Sequence, residues 1–421
     1  MRILLLSWEY PPRIHGGLGR HVHALSLALA RAGHEVHVVT RPHADAPPEE
    51  ERDGVHVVRA PEPPPMLPAQ DWVANALAVN TGLQTTATRL LNDVDVDVVH
   101  AHDWLVAYAA GGVRITTGLP LVATIHATEY GRHQGHLPGP MNKFIHQAEW
   151  WLTYEARRVV TCSRYMRDQA QRIFELPPGK IDTIPNGVAP EEFTLVPGRE
   201  VSALREHITP DGEHLVLYAG RLEYEKGVQT LLRAVRKLRD RGVPVRLLIA
   251  GEGTYAGSLR ALARSLRIAR AVDFTGFLDR AELVRHYRVA DTAVVPSIYE
   301  PFGIVALEAM AAGTPLVVSD TGGLGELIEH ERSGLKVAPQ DVGALTAALE
   351  RVLGDRDWAR GMAVVAHNQL ERRFSWDAIA GRTVETYERA IREERELAHA
   401  QRPPLRLIFS RSPLLGGSAE A

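Results

Sequence analysis

The strongest constraint on this chain is an alternation, run through twice, between short apolar runs and segments whose apolar residues recur at helical spacing. That pattern predicts parallel sheets with crossover helices. In the first series the expected strands are Arg2 to Ser7, Glu35 to Thr40, Val96 to Ala101, Leu121 to Ile125, Arg158 to Thr161 and Ile181 to Ile184. A helix after the turn Gly16-Gly17-Leu18-Gly19 carries Val22, Leu25 and Leu29 on one face and stops at Gly33. The stretch Pro42 to Pro68 is rich in Pro and Glu and reads mostly as an exposed connection, interrupted by a strand at Val55 to Arg59. A helix from about Asp71 to Leu91 follows. The second series has strands at Leu215 to Ala219, Val245 to Ala250, Val272 to Thr275, Ala293 to Pro296, Leu316 to Val318 and Gly334 to Val337.

A length of 421 residues exceeds what one core usually serves. The expected architecture is therefore α/β, with two Rossmann-like domains whose parallel sheets face each other across a cleft. The first domain is placed at 1–195 and the second at 196–375, with the connection in Pro190 to Asp211. A final helix at about 376–397 is expected to pack back on the first domain, and 401–421 reads as a disordered tail. Ligands of such sheets bind beyond the carboxyl ends of the strands, so the loops there carry the function.

Several function classes are excluded. A net charge of -3 offers no polybasic surface to nucleic acid. Cys162 is the single cysteine, which rules out an intrachain disulfide and suits a reducing, cytoplasmic setting. The apolar run after Met1 is too short for a signal peptide core, and no stretch reaches the roughly 18 apolar residues of a membrane span. Any membrane contact would be peripheral.

The richest motif runs from Pro296 to Pro315. A strand ends at Pro296, a helix begins near Pro301 to Gly303, and Gly313 with Pro315 stops it. Glu300 stands just ahead of the helix and Glu308 inside it, about 8 to 12 Å apart at about 1.5 Å rise per residue. Free amides around Phe302, Gly303 and Ile304 favour an anion or sugar hydroxyls between the two carboxylates. Taken alone, both acids could simply complement the helix dipole. Arg221 and Lys226 follow the first strand of the second series across a glycine-containing loop, a natural way to neutralise a diphosphate. In the first half, His100-Ala101-His102-Asp103-Trp104 ends a strand. Alternating histidines can ligate zinc, but this pair lacks obvious third and fourth ligands. Asp103 and Trp104 suit a polyhydroxylated ligand instead. Phe144, Trp150, Trp151 and Tyr154 could touch a membrane, although packing of a helix into a core explains them more cheaply.

With Gly220-Arg221 through Lys226-Gly227 and the Glu300–Glu308 spacing, the chain resembles the retaining glycosyltransferases that include glycogen synthase, sucrose synthase and the phosphatidylinositol mannosyltransferases. Gly16-Gly17-Leu18, His100 to Trp104, Thr124-Ile125-His126, Pro185 to Val188 and Phe374-Ser375-Trp376 extend the likeness over roughly residues 1–390. The resemblance implies a GT-B fold and a nucleoside diphosphate glucose donor, with ADP, UDP or GDP as the nucleotide. It places Arg221 and Lys226 on the diphosphate, Glu308 on the ribose and Glu300 on the sugar hydroxyls as a positioning group. His126 would sit at the sugar near the reacting carbon, Gly251 and Glu252 near the base, and Gly16 and Gly17 against the phosphates. His102, Asp103 and Trp104 would border an α-1,4-glucan or related oligosaccharide acceptor. Neither metal nor cofactor is implied. Related enzymes carry a lysine two residues before the paired glycines, where this chain has Ile14, which leaves backbone amides with His15 or Arg20 as helpers. Rival readings are a lipid-linked or small-molecule acceptor, a nucleotide-sugar epimerase, and a sugar-nucleotide-binding protein without activity.

Overall fold

A computed structural model describes residues 1–14, 16–62, 72–194 and 197–400. His15, much of the stretch up to Asp71, and the tail from Gln401 lie outside the described residues. Fourteen strands form two sheets among those described. The first sheet holds β1 (Arg2–Leu6), β2 (Glu35–Thr40), β3 (Glu49–Arg52), β4 (Val55–Arg59), β5 (Val98–His102), β6 (Leu121–Ile125), β7 (Arg158–Thr161) and β8 (Ile181–Thr183). The second holds β9 (His214–Ala219), β10 (Val245–Ala250), β11 (Val272–Gly276), β12 (Thr292–Val295), β13 (Leu316–Ser319) and β14 (Leu335–Val337). Their orders are β3-β4-β2-β1-β5-β6-β7-β8 and β11-β10-β9-β12-β13-β14. Every pairing is parallel except β3 with β4.

The strands read as continuous Val/Ile/Leu runs because helices cover both faces. Ile3, Leu4, Leu5 and Leu6 are all fully buried, as are Val98, Val99, Leu121 and Val122. The β3 strand departs from expectation. Its sequence, Glu49-Glu50-Glu51-Arg52, has no apolar period, and it forms by adding an antiparallel edge to β4, where charged side chains can stay solvated.

Strand order reverses between β1 and β5 in the first sheet, and between β9 and β12 in the second. A crevice opens at each such switch point, beyond the carboxyl ends of the strands. The two crevices confront each other and set where ligands can lie.

The chain passes between the sheets twice, and the two crossings touch. Val188 N donates to Phe374 O at 2.9 Å, and Val188 bridges to Ser375. The helix Trp376–Ala400 then returns to the first sheet. There Tyr387 is fully buried, Arg31 meets Asp377, Arg158 meets Glu393, and Arg114 and Arg157 clasp Glu394. Among the described residues no helix is long and apolar enough to cross a membrane.

Candidate active site

A cleft of about 880 Å³ lies between the carboxyl ends of the two sheets. From the first sheet, the chain leaves β5 through Asp103, whose φ of 68° redirects it so that Asp103 and Trp104 face the cleft. The Asp103 carboxylate accepts from Trp104 N at 2.9 Å, and burial pushes its carboxyl up to about 6. His126 follows β6 onto the cleft wall, and Gly16 and Gly17, at the start of the helix Gly17–Arg31, form another edge.

The second sheet supplies the charge. Arg221 follows β9, and the turn Tyr224–Lys226 ends at Gly227, whose φ is 72°. A Cβ at Gly227 would fall 1.9 Å from the Pro296 carbonyl oxygen, so only glycine lets this turn lie against the end of β12. That close approach brings Lys226 Nζ to 2.9 Å from Glu300 Oε2, which also accepts from Ser297 Oγ at 3.2 Å. Arg221 stays half-exposed in the cleft, 3.5 Å from Glu225. Gly303, at φ 106°, caps the helix Ile304–Ala311, whose first amides have no partner within the helix. Phe302, Gly303, Ile304, Gly251 and Glu252 line the same cleft.

Glu308 is only 2% exposed, yet it is densely contacted. Arg20 reaches across from the first half to within 2.9 Å, Arg280 pairs with the same oxygen, and Tyr287 Oη donates to the other at 3.3 Å. Arg20 therefore pairs with the carboxylate that the resemblance assigns to the ribose.

Behind His126 lies a histidine stack. His102 is fully buried, its Nδ1 3.3 Å from His126 Nε2, and it does not reach the cleft. This departs from the expectation that it borders the acceptor. On a strand, residues two apart share a face, so His102 points with His100 beneath the helices Gly17–Arg31 and Trp376–Ala400. His100 lies 2.7 Å from both Tyr387 Oη and Thr124 Oγ1. His21 packs edge-on to His126 with ring centroids 4.9 Å apart, and its Nδ1 lies 2.7 Å from Asn186 Oδ1. Burial pushes His21 down to about 4 and His100 to about 3, and holds His102 and His126 well below the ordinary imidazole value. All four rings are neutral at pH 7.

Sequence reasoning did not single out His21, Arg280 or Tyr287, and it met Asn186 only within the motif Pro185 to Val188, with no role. The one available signal was for His21, which sits one turn into the helix behind the glycine loop. It also missed Tyr299. That ring inserts into the first half, where Tyr299 Oη accepts from Thr128 N at 3.3 Å and donates to Gln169 Oε1 at 3.1 Å. Beside it, Ser163 Oγ donates to Pro301 O at 2.6 Å, and Glu326 accepts from the amides of Arg164 and Tyr165. The aromatic cluster divides: Trp151 and Phe144 pack against the core, whereas Trp150 and Tyr154 are 45% and 61% exposed and stack on each other.

Residues 202–368 match the family described as Glycosyl transferases group 1, and residues 15–192 match Glycosyltransferase Family 4. Glycogen synthase of Mycobacterium tuberculosis is 42% identical over 408 residues, 94% of this chain and 96% of that relative. The chain is a group 1 glycosyltransferase. Among solved structures, sucrose-phosphate synthase from Thermosynechococcus elongatus superposes with a TM-score of 0.79 at 26% identity, covering 95% of this glycosyltransferase and 99% of that chain. The catalytic domain of starch synthase IV from Arabidopsis thaliana, bound to ADP and acarbose, gives a TM-score of 0.73 at 19% identity, covering 93% and 99%. The glycosyltransferase thus has the GT-B fold, and its likeness to glycogen synthase extends over nearly its whole length.

Proposed function

We propose that this glycosyltransferase moves glucose from a nucleoside diphosphate glucose to the non-reducing end of an α-1,4-glucan, with retention of configuration and without a metal. The observation that carries the reading is the constellation across one cleft: Arg221, Lys226 and Glu300 on one wall, His126 on the other. The 42% identity to glycogen synthase supports the choice of donor sugar and acceptor.

In this reaction the bond between the donor anomeric carbon and the diphosphate oxygen breaks. An acceptor hydroxyl oxygen bonds to that carbon on the same face, and its proton passes to the leaving phosphate oxygen. Charge grows on the diphosphate, where Arg221, Lys226 and the amides at Gly303 and Ile304 stabilise it more in the transition state than before it. Glu300, held by Lys226, positions sugar hydroxyls. Neutral His126 accepts or donates a hydrogen bond at the sugar without adding charge. Glu308 takes the ribose hydroxyls once Arg20 gives way. Gly251 and Glu252 border the base, and Asp103 with Trp104 borders the acceptor.

A second reading follows from exposed Trp150 and Tyr154: a lipid-linked acceptor presented at a membrane surface. A radiolabelled transfer assay decides between the two. ADP-, UDP- and GDP-glucose are offered with malto-oligosaccharides, with vesicles carrying lipid acceptor, and with no acceptor. Extension of the oligosaccharide is expected. Label found only in lipid would replace the glucan reading with the second one, and donor turnover without acceptor would remove both.

A further inference from the structure

Among the described residues, one group of side chains gathers its ligand atoms closely enough for a metal ion: His21, His102 and His126, with all three atoms within 4.8 Å of one another. The transfer chemistry above uses only His126. A tetrahedral ion with nitrogen bonds of about 2.0–2.1 Å spaces its ligand atoms about 3.4 Å apart, and the imidazole centroids about 5 Å apart. His102 Nδ1 and His126 Nε2 stand 3.3 Å apart, and the three centroid separations are 5.5, 4.9 and 5.5 Å.

The surroundings suit such a site. With Nδ1 of His21 donating to Asn186 Oδ1, the lone pair of this ring is left on Nε2, the usual way an outer partner fixes a metal-binding tautomer. His102 Nε2 is buried and has no partner, so it can carry the ring proton when Nδ1 turns its lone pair to an ion. His126 lies on the cleft wall and gives a route in. Three neutral nitrogen ligands suit a borderline-soft divalent cation better than Mg2+ or Ca2+.

We propose that His21, His102 and His126 form a binding site for a Zn2+-like divalent cation, and that filling it ties up His126 and blocks the sugar end of the cleft. Binding stands on the histidine geometry alone, whereas the blocking rests on the transfer reaction proposed above. The ion leaves the His102 Nε2 proton without an acceptor, which weakens binding relative to a site whose outer hydrogen bonds are all made.

The test titrates the full-length protein with Co2+ and follows the visible absorption that marks tetrahedral coordination. One equivalent is expected to bind and to be displaced by Zn2+. His21→Gln and His102→Gln should each weaken uptake at least ten-fold, while the surface control His133→Ala/His136→Ala leaves it unchanged. If His102→Gln fails to fold by circular dichroism, His21→Gln carries the test alone. No tetrahedral band, or a band that survives His21→Gln, overturns the site. In the transfer assay Zn2+ should inhibit the wild type, reversibly by chelator, and inhibit His21→Gln at least ten-fold less. Stoichiometric binding without inhibition would overturn the blocking claim. Absence of transfer to any acceptor, with Co2+ still bound, would count against the proposed reaction and not against the site.

Discussion

Adding one methyl group at Gly131 should damage both stability and turnover, because that position is where the second half presses Tyr299 into the first half. An ideal Cβ there would lie 2.4 Å from Tyr299 Cζ and 2.5 Å from its Oη. Ordinary contact needs about 3.5 Å or more, so the ring must retreat by about 1 Å. Tyr299 is 4% exposed, and overpacking of this kind costs about 1–3 kcal/mol. Retreat also loosens the hydrogen bonds to Thr128 N and Gln169 Oε1, at about 1 kcal/mol each. Gly131→Ala should therefore lose about 3–5 kcal/mol in urea unfolding. Glu300 is the next residue, and a 1 Å displacement of a positioning group can cost about 100-fold in kcat. A double-mutant cycle isolates the cause: on a Tyr299→Ala background, which removes the clash, Gly131→Ala should cost almost nothing further. Full additivity of the two substitutions would refute the wedge, as would a Gly131→Ala protein with wild-type stability and turnover.

Lys226→Ala should lower kcat by about 10²–10³-fold with circular dichroism unchanged, since the ammonium acts on charge that appears only as the diphosphate leaves; near-normal turnover would remove Lys226 from the mechanism. Arg20→Ala frees Glu308 of a competitor for the ribose, so calorimetry should show nucleoside diphosphate binding tightened by about 3–10-fold. Weaker binding would instead make Arg20 a donor contact. Burial pushes the fully buried Glu149 up to about 7, so the native state takes up a proton more readily than the unfolded chain. Its contribution is greatest below the ordinary carboxylate value and is lost as pH rises through about 7. Glu149→Gln should then be about 1–3 kcal/mol more stable than wild type at pH 8, with the gap closing near pH 5. Parallel unfolding curves at both pH values would contradict that assignment.

Much of the fold was legible because it is written locally. Runs such as Leu4-Leu5-Leu6 and Val98-Val99 specify doubly covered strands, and Glu300 through Pro315 contains its own strand end, turn, helix and stop. The motif residues at strand ends reach one cleft for the same reason: a parallel sheet sends all its carboxyl ends to one side. What the sequence hid depends on distance along the chain. His21 meets Asn186 across 165 residues, and Arg20 meets Glu308 across 288. No local period announces either. His102 was misplaced because a two-residue alternation tells which residues share a face, not which face the helices cover. The β3 strand escaped notice because its pairing with β4 supplies the stability that its Glu-rich sequence lacks. Trp150 and Tyr154 were assigned to a core on residue type alone, while the helix that carries them turns that face outward.

The contact between Val188 and Phe374 has a consequence beyond this enzyme. The segment that builds the second sheet leaves the first half and re-enters it at neighbouring points, so its two ends sit side by side. A segment with adjoining ends is a cassette. It can be lifted out and replaced by the corresponding segment of a relative without stretching either junction. Grafting at those two points exchanges the whole second sheet, with the cleft wall that carries Arg221, Lys226 and Glu300, while leaving the first half untouched, and the same geometry gives recombination a ready route to new combinations of the two halves.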